Sequence, residues 1–241
     1  MAVTMAHTFP DDFLWGTATA SYQIEGSTSV DGRGVSIWDT FSKTPGKVKN
    51  GDTGDIACDH FNRFPEDIAL MQELGVKAYR FSIAWPRLFP AGNAVREERG
   101  FAFYDRLINA LIAAGIEPMV TLYHWDLPQT LEDQGGWGNR ATALAFADYA
   151  KACAEAFGDR VKNWITINEP WCVSWLGYSI GVHAPGRKDY RAAVAAAHHT
   201  ALAHGLATRA IKSVDPSAKV GITVNMTNYV NENQEDESLN Q

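Results

Sequence analysis

Cysteine is scarce in this chain of 241 residues, and its three cysteines are far apart. Cys58, Cys153 and Cys172 form no C-x-x-C pair, and their number is odd. Secreted domains that depend on disulfides carry even sets of cysteines at short spacings. The sequence therefore excludes a disulfide framework and favours a reducing compartment, for which we predict the cytoplasm.

Long apolar runs and an excess of basic residues are also missing. No apolar run approaches the roughly 18 residues that a membrane helix needs, and the start M-A-V-T-M-A-H has no basic segment followed by an apolar one. The formal charge is −7, and without four acidic residues near the C-terminus it is about −3. A broad phosphate-binding surface carries the opposite sign. We expect neither a membrane nor a nucleic acid as a partner.

What the sequence does have is short apolar runs that alternate with amphipathic segments. The middle three runs start 42 and 43 residues apart, a spacing that suits one strand, one helix and their loops. Within 76–85, bulky apolar side chains alternate with small or polar ones, as in a strand between outer helices and an inner lumen. The pattern predicts an α/β fold with a parallel sheet. The five runs begin near Phe13, Val76, Pro118, Val161 and Lys219.

The ends of several helices are indicated by their capping residues. Pro65, followed by two acidic residues, predicts the start of one helix, and Gly75 predicts its end. Asn139 is the predicted N-cap of a second helix. An Ala-rich segment predicts a third helix over about 190–212. The acidic segment 231–241 is predicted to be a disordered tail.

Polar and aromatic side chains follow four of the predicted strands. Because parallel strands end at the same edge, we expect these side chains to gather at one rim, where barrel enzymes carry their chemistry. Amides and carboxylates hydrogen-bond hydroxyl groups, and indole rings cover the apolar face of a sugar. The rim therefore predicts a site for a polyhydroxylated ligand. It comprises the segments 22–26, 80–87, 123–126 and 166–170.

Simpler explanations compete with this interpretation. Glu169 taken alone is a carboxylate before a proline, His124 alone is more often structural, and Arg80 alone could stabilise a barrel lumen. The strand that precedes Glu169 and the aromatic neighbours of His124 favour functional roles for these two residues, whereas both interpretations of Arg80 stay open. Cys172 has no histidine arranged to activate it, so we predict a neutral thiol.

Three clustered histidines suggest a metal site at first sight. Their spacing does not give the i, i+4 pair of H-E-x-x-H, and no carboxylate accompanies them. We predict that they pack a helix, and we predict neither a metal nor another cofactor. They are His198, His199 and His204.

Four longer motifs carry a resemblance to a known family. They are F-L-W-G-T-A-T-A-S-Y-Q-I-E-G (13–26), Y-R-F-S-I-A-W-P-R (79–87), L-Y-H-W-D-L-P (122–128) and T-I-N-E-P (166–170). In this order they resemble glycoside hydrolase family 1, the β-glucosidase family, and the resemblance extends collinearly from Phe13 to about Asn225. Four long motifs in order are far more specific than any one of them. The resemblance implies a (β/α)8 TIM-type barrel, of which residues 1–230 carry the N-terminal part with about five β/α units.

The same resemblance implies a role for each residue of the rim. Glu169 matches the acid/base carboxylate of a retaining β-glucosidase, and Arg80 matches the arginine that supports the nucleophile. The implied substrate is a β-glucoside or a related sugar. The implied sugar-binding residues are Gln23, His124, Trp125 and Asn168. The implied aglycone-side residues are Trp171, Cys172 and Val173.

The family's second carboxylate is not recognisable in the sequence. The family nucleophile is a Glu in a T/I-x-E-N-G-type motif after the seventh strand, whereas N-E-N-Q at 231–234 lacks the glycine and follows a fifth strand. We expect a C-terminal fragment of the same enzyme to supply the nucleophile, or the chain to self-associate through its open edges. The isolated chain is then expected to be inactive. Two alternatives stay open, namely a half-barrel with a partial, inactive site and a non-catalytic sugar-binding or scaffold protein.

Overall fold

Five strands form one parallel sheet in the computed structural model, which describes residues 8–93 and 95–227. Their spatial order is the chain order, β1 to β5. Each strand lies in or within a residue or two of a predicted apolar run, so the α/β prediction is confirmed. The predicted tail at 231–241 lies outside the described residues. The strands are β1 Gly16–Ala18, β2 Ala78–Ser82, β3 Glu117–Tyr123, β4 Asn163–Asn168 and β5 Lys219–Thr223.

A long helix connects each pair of neighbouring strands. These four connecting helices are α3, α5, α7 and α8. Parallel strands in chain order with a helix in each crossover form part of a (β/α) barrel rather than a doubly wound sheet, whose strand order reverses. The helices are α1 Ser21–Ile24, α2 Ile37–Ser42, α3 His60–Glu73, α4 Trp85–Leu88, α5 Glu98–Ala113, α6 Gln129–Asp133, α7 Arg140–Phe157 and α8 Tyr190–Val214. Two 3₁₀ turns (Lys49–Gly51 and Gly136–Gly138) and a π-helical segment (Cys172–Ile180) complete the described structure.

Three of the predicted helix boundaries are confirmed and one is wrong. Gly75 directly follows Leu74, the C-cap of α3, and has a left-handed φ of +72°, as expected where a helix ends. Asn139 caps α7, since its side chain accepts a hydrogen bond from the backbone of the second helical residue. Helix α8 begins where the Ala-rich segment does. Helix α3, however, starts at His60, and Pro65 lies inside it. The backbone N–H of Phe61 donates to the carbonyl of Glu25 at 3.0 Å, so a tertiary contact satisfies a first-turn donor that the sequence pattern does not reveal.

The hydrophobic core lies between the sheet and its helices, as the alternation in β2 predicts. Tyr79 and Phe81 are buried in the core cluster, whereas Arg80 between them lies on the opposite face and stays partly accessible. Helices α5 and α7 contribute rows of buried side chains to this layer. The inner face of the sheet is thereby left to polar groups. Among the described residues, no helix is both long and apolar enough to span a membrane.

A buried ion pair fastens Glu25, directly after α1, to Arg87 on α4. The Arg87 guanidinium donates to Glu25 Oε2 at 3.0–3.1 Å, and the Tyr104 hydroxyl donates to Glu25 Oε1 at 2.5 Å. Arg87 also lies over the ring of Phe61, 4.5 Å from its centroid. Both charged side chains are almost completely shielded from solvent. Hydrogen bonds on both sides of the carboxylate make this pair a structural element rather than a surface contact.

Glu25→Gln is expected to destabilise the chain by about 3–5 kcal/mol, because it leaves the buried Arg87 charge without a counterion. Urea unfolding followed by circular dichroism measures the change. The matched control is Glu66→Gln, which breaks an exposed pair with Arg63 and should cost less than about 1 kcal/mol. Equal losses for the two variants would contradict the structural role of the buried pair.

Candidate active site

The predicted rim residues do converge at the carboxyl ends of the strands. Arg80 projects from β2, His124 directly follows β3, and Asn168 ends β4. Gln23 lies on α1, just beyond β1, and Glu169 follows Asn168. The structure therefore brings together side chains that are up to about 146 positions apart in the sequence. Their roles in binding and catalysis stay predictions.

A β-bulge at the end of β4 aims Asn168 at the rim. Ile165 pairs with Gly221 and Asn168 pairs with Thr223, so β4 has one residue more than β5 across this interval. Thr166 faces helix α8, where its hydroxyl meets His204. In a regular strand Asn168, two residues later, would face the same helix. The extra residue turns its side chain towards the inner face of the sheet instead.

Asn168 is the centre of the hydrogen-bond network at the rim. Its Oδ1 accepts from Arg80 Nη2 at 2.6 Å, and its Nδ2 donates to His124 Nε2 at 3.3 Å. Its backbone carbonyl accepts from Trp125 Nε1 at 2.9 Å. Side chains from three strand ends are thus held in one arrangement.

Burial and charge set the electrostatics around Asn168. Burial, together with the nearby Arg80 charge, lowers the pKa of His124 to about 4. His124 is therefore neutral near pH 7, and its Nε2 can accept the amide proton of Asn168. Burial also lowers the pKa of Arg80, whose Nε donates to Thr121 Oγ1 at 2.9 Å. Within residues 8–93 and 95–227, no carboxylate forms an ion pair with Arg80.

Glu169 is held by its backbone in an unusual conformation. Its φ of +50° is left-handed, a region that non-glycine residues occupy mainly at functional or strained positions. Its N–H donates to the carbonyl of Thr223 at 2.8 Å, and the Cys172 thiol donates to its Oε2 at 3.2 Å. Burial and the Glu169 carboxylate raise the pKa of Cys172 to about 12. This direction agrees with a neutral thiol at Cys172, which stays a prediction.

An open pocket of about 360 Å³ lies beside this network. Gln23, His124 and Trp125 line it, as predicted. Tyr22, from the predicted rim segment 22–26, lines it too, whereas sequence reasoning missed the indole of Trp38 and the imidazole of His183. The His183 ring lies 5.1 Å from Trp125 and 5.6 Å from Trp38, measured between centroids. The available signal was aromatic rings beside polar residues in S-I-W-D and V-H-A-P-G.

The three predicted aglycone-side residues occupy different environments. Trp171 is half-exposed, at 51% of its accessible area. Cys172 and Val173 are buried and line a small gap shared with Trp125 and His183. Trp171 is therefore accessible for direct contact with a ligand. Cys172 and Val173 are not, because they are buried beside Trp125. An aglycone role for any of them stays a prediction.

Two of the three clustered histidines of α8 pack the helix onto its neighbours. The Nδ1 atom of His199 lies 2.8 Å from the carbonyl of Trp137, and that of His204 lies 2.8 Å from Thr166 Oγ1. The packing role predicted for these two residues is confirmed, whereas the same prediction is wrong for His198, which is exposed. In the part of the chain that the structure describes, no three His, Cys, Asp or Glu residues come together as metal ligands.

Asp126, in the H-W-D motif, is a buried carboxyl group behind the rim. The Ser21 hydroxyl donates to its Oδ2 at 2.6 Å, and its other oxygen is buried without a described partner. Burial raises the pKa of Asp126 to about 7. The neutral form is therefore favoured in the folded chain well above the pH at which the unfolded carboxyl ionises.

A half-barrel of parallel strands that gathers amide, guanidinium, imidazole, indole and carboxyl groups at its carboxyl-terminal rim places this chain in the class of (β/α)-barrel proteins. The model of glycosyl hydrolase family 1 matches residues 5–240. The chain belongs to this family.

Curated relatives extend the match but are about twice as long. Beta-glucosidase A of Thermotoga maritima is 56% identical over 217 residues, which are 90% of this chain and 49% of the relative. Beta-glucosidase of an Agrobacterium species is 54% identical, covering 92% of this chain and 48% of the relative. The chain thus spans about half the length of the curated relatives that it matches.

Solved structures of relatives also match this chain over about half of their length. The Thermotoga maritima beta-glucosidase in complex with castanospermine superposes with a TM-score of 0.93 at 54% identity, covering 95% of this chain and 52% of that one. An enzyme from Alicyclobacillus herbarius, titled AHE enzyme, gives a TM-score of 0.91 at 56% identity over 96% and 51%. The half-barrel prediction is confirmed by these likenesses.

Asp126→Asn is expected to flatten the pH dependence of stability between pH 4 and pH 8. The folded-state pKa of about 7 exceeds the ordinary value of 3.8, so the folded wild type binds more protons and loses stability as the pH rises through this window. The loss is on the order of 3 kcal/mol and is absent in the variant. Urea unfolding at pH 5 and pH 8 measures it.

The matched control for this experiment is Asp133→Asn, at an exposed carboxylate of α6. It should retain the wild-type dependence on pH. If Asp126→Asn and Asp133→Asn follow the same pH curve, the buried carboxyl of Asp126 is not the source of the effect.

Proposed function

We propose that this chain is the N-terminal part of a retaining β-glucosidase in which Glu169 is the acid/base. One observation carries the proposal most directly: Glu169 follows Asn168, the centre of the rim network, and its carboxyl accepts a hydrogen bond from Cys172, which lines a small gap together with Trp125. Two further observations support it. The chain belongs to glycosyl hydrolase family 1, and its relatives include proteins named beta-glucosidase.

The chemistry requires a protonated Glu169 in the first step. Its carboxyl proton passes to the glycosidic oxygen as the bond to the aglycone breaks, while a nucleophilic carboxylate attacks the anomeric carbon from the opposite face. In the second step the Glu169 carboxylate takes a proton from water, which releases the sugar. The left-handed backbone of Glu169 and its bond to Thr223 fix the position of the carboxyl group.

The rim offers suitable groups for the sugar. Gln23 and Asn168 supply amide groups for hydroxyls, with Asn168 assigned to the 2-hydroxyl, and neutral His124 supplies an imidazole without a competing charge. The Trp125 ring offers an apolar face to sugar C–H groups. The pocket of about 360 Å³ is of the right order for a small ligand.

The nucleophile would come from a C-terminal segment, either continuous with this chain or on a second polypeptide. Arg80 supports this part of the proposal. Its partly buried guanidinium bonds to Thr121 and Asn168 but forms no ion pair with a described carboxylate. An arriving carboxylate would offset the desolvation that lowers the pKa of Arg80. The half-length match to the relatives points the same way.

The open edges of the sheet would receive the same segment. β1 and β5 form the two edges of the described sheet, and unpaired strand edges bind further strands. Residues 1–230 would then be one portion of a closed (β/α)8 barrel. Self-association through these edges is the alternative for the isolated chain, and the cytoplasm remains our predicted compartment.

A sugar-binding or scaffold protein without turnover is the second candidate function. This candidate is favoured because the described rim carries several groups that can bind hydroxyls but only one predicted catalytic carboxylate. Calorimetric titration of the 241-residue chain with glucose or cellobiose distinguishes the two. Affinity that needs Gln23, without turnover in any completed form, would favour the binding module.

Glu169→Gln in the completed enzyme should lower kcat/KM for phenyl β-glucoside by about 10²–10⁴-fold, because general acid catalysis contributes that much. Hydrolysis of a dinitrophenyl glucoside should fall far less in its first step, since that leaving group departs without a proton. Glu155→Gln, at an exposed position on α7, is the control. Intact phenyl-glucoside hydrolysis in the Glu169 variant would contradict the assignment.

The 241-residue chain alone is expected to show no β-glucosidase turnover, since the covalent route needs the nucleophile. Mixing or co-expressing it with the C-terminal half of a family 1 β-glucosidase should restore hydrolysis and convert open assemblies into a one-to-one complex, as measured by light scattering. Robust turnover by the isolated chain, with its mass confirmed, would overturn the need for the second segment.

A further inference from the structure

The bulge of β4 is held from the helix side by a two-step hydrogen-bond relay. The Thr166 hydroxyl lies inside the bulged interval and is buried. Its oxygen is 2.8 Å from His204 Nδ1 on α8 and 3.2 Å from the carbonyl oxygen of Gly221 on β5. With Nδ1–H donating to the hydroxyl oxygen, the hydroxyl proton is free to donate to Gly221. Both hydrogen bonds of the relay are then made.

The relay lies at the one position where the strand pairing changes register. Ile165 pairs with Gly221, and the next described pair is Asn168 with Thr223. Thr166 therefore bonds to the β5 residue at which the bulge begins. A bulge weakens the local ladder because its extra residue is left unpaired. The hydrogen bond from the Thr166 hydroxyl to the Gly221 carbonyl joins the two strands at this point and compensates for the weakened ladder.

We infer that His204 is a positioning residue which, through Thr166, holds the bulge that turns Asn168 and Glu169 towards the rim. The inference extends the packing role of His204 and, for its effect on catalysis, rests on the proposed function. Burial lowers the pKa of His204, so the neutral imidazole is available as a single-proton donor near pH 7. His204 does not line the pocket and acts through its hydrogen bond to Thr166.

His199 provides a matched comparison on the same helix. It lies on α8 as well, and its Nδ1 makes a bond of the same length, 2.8 Å, to the carbonyl of Trp137. That bond joins α8 to the 3₁₀ turn Gly136–Gly138 and does not involve β4. Loss of either histidine removes one ring and one hydrogen bond from α8. Of the two losses, only that of His204 is expected to affect the bulge.

Hydrogen exchange of the 241-residue chain tests the relay without any turnover. His204→Ala should raise the exchange rate of the amides in 165–169 by about fivefold to tenfold, as expected for the loss of one buried hydrogen bond. His204→Asn, whose amide nitrogen can replace Nδ1, should restore most of the protection. Thr166→Val should reproduce the effect, and Thr166→Ser should not. His199→Ala should leave 165–169 protected.

The completed enzyme tests the catalytic consequence. In His204→Ala, kcat/KM for phenyl β-glucoside should fall by about tenfold more than kcat/KM for the dinitrophenyl glucoside, because kcat/KM reports the first step and a displaced Glu169 matters most where the leaving group needs a proton. KM should change less than kcat, and His204→Asn should recover the ratio. A simple loss of folded protein would lower both rates equally.

Three results would overturn the inference. The first is an unchanged exchange rate of the amides in 165–169 in His204→Ala. The second is faster exchange over the same amides of α8 in both His199→Ala and His204→Ala. The third is faster exchange at 165–169 in His204→Ala with no change in the ratio of the hydrolysis rates for the two glucosides. A completed wild type without any turnover would refute the proposed function instead, and the exchange experiment would still decide whether His204 holds the bulge.

Discussion

The pairing of β4 with β5 is the constraint on which the candidate site depends. Its single extra residue reverses the facing of Asn168, and the bond from the Glu169 N–H to Thr223 fixes the next residue in a left-handed backbone. A regular strand would direct the Asn168 side chain to helix α8 and leave Arg80 and His124 without their common partner. The arrangement of the rim therefore depends on a backbone irregularity in β4. Side chains from β2 and from the end of β3 hydrogen-bond to the residue that this irregularity orients.

The recognisable motifs contain two kinds of residue, and the structure separates them. Gln23 faces the pocket, whereas Glu25, two positions later in the same motif, is buried against Arg87 and Tyr104. In H-W-D, His124 belongs to the rim, while Asp126 is a buried carboxyl behind it. Each of these two motifs thus combines a group that lines the pocket with a group that is buried behind it. The low dielectric of the buried layer makes these supporting bonds strong and also makes their loss costly.

The sequence pattern predicted most of the fold because its signals were local. Apolar runs placed all five strands, and the side-chain preference of Asn139 placed the start of α7. The start of α3 was missed because the N–H of Phe61 is satisfied by a carbonyl on another segment, which no local pattern encodes. His183 was missed for the same reason, since its proximity to Trp38 and Trp125 comes from the return of a distant loop.

By itself the sequence determined the α/β class, the parallel order expected of βα units and, through four motifs, the family to which the chain belongs. Periodicity and short motifs encode these features within a few tens of residues. The tertiary structure alone decided which face Asn168 presents, that His124 is neutral beside Arg80, and that the histidines of α8 meet Trp137 and Thr166. These outcomes depend on register, burial and the charge of neighbours from other strands. They arise when the sheet assembles, because a shift of one residue in the pairing reverses the facing of every side chain that follows.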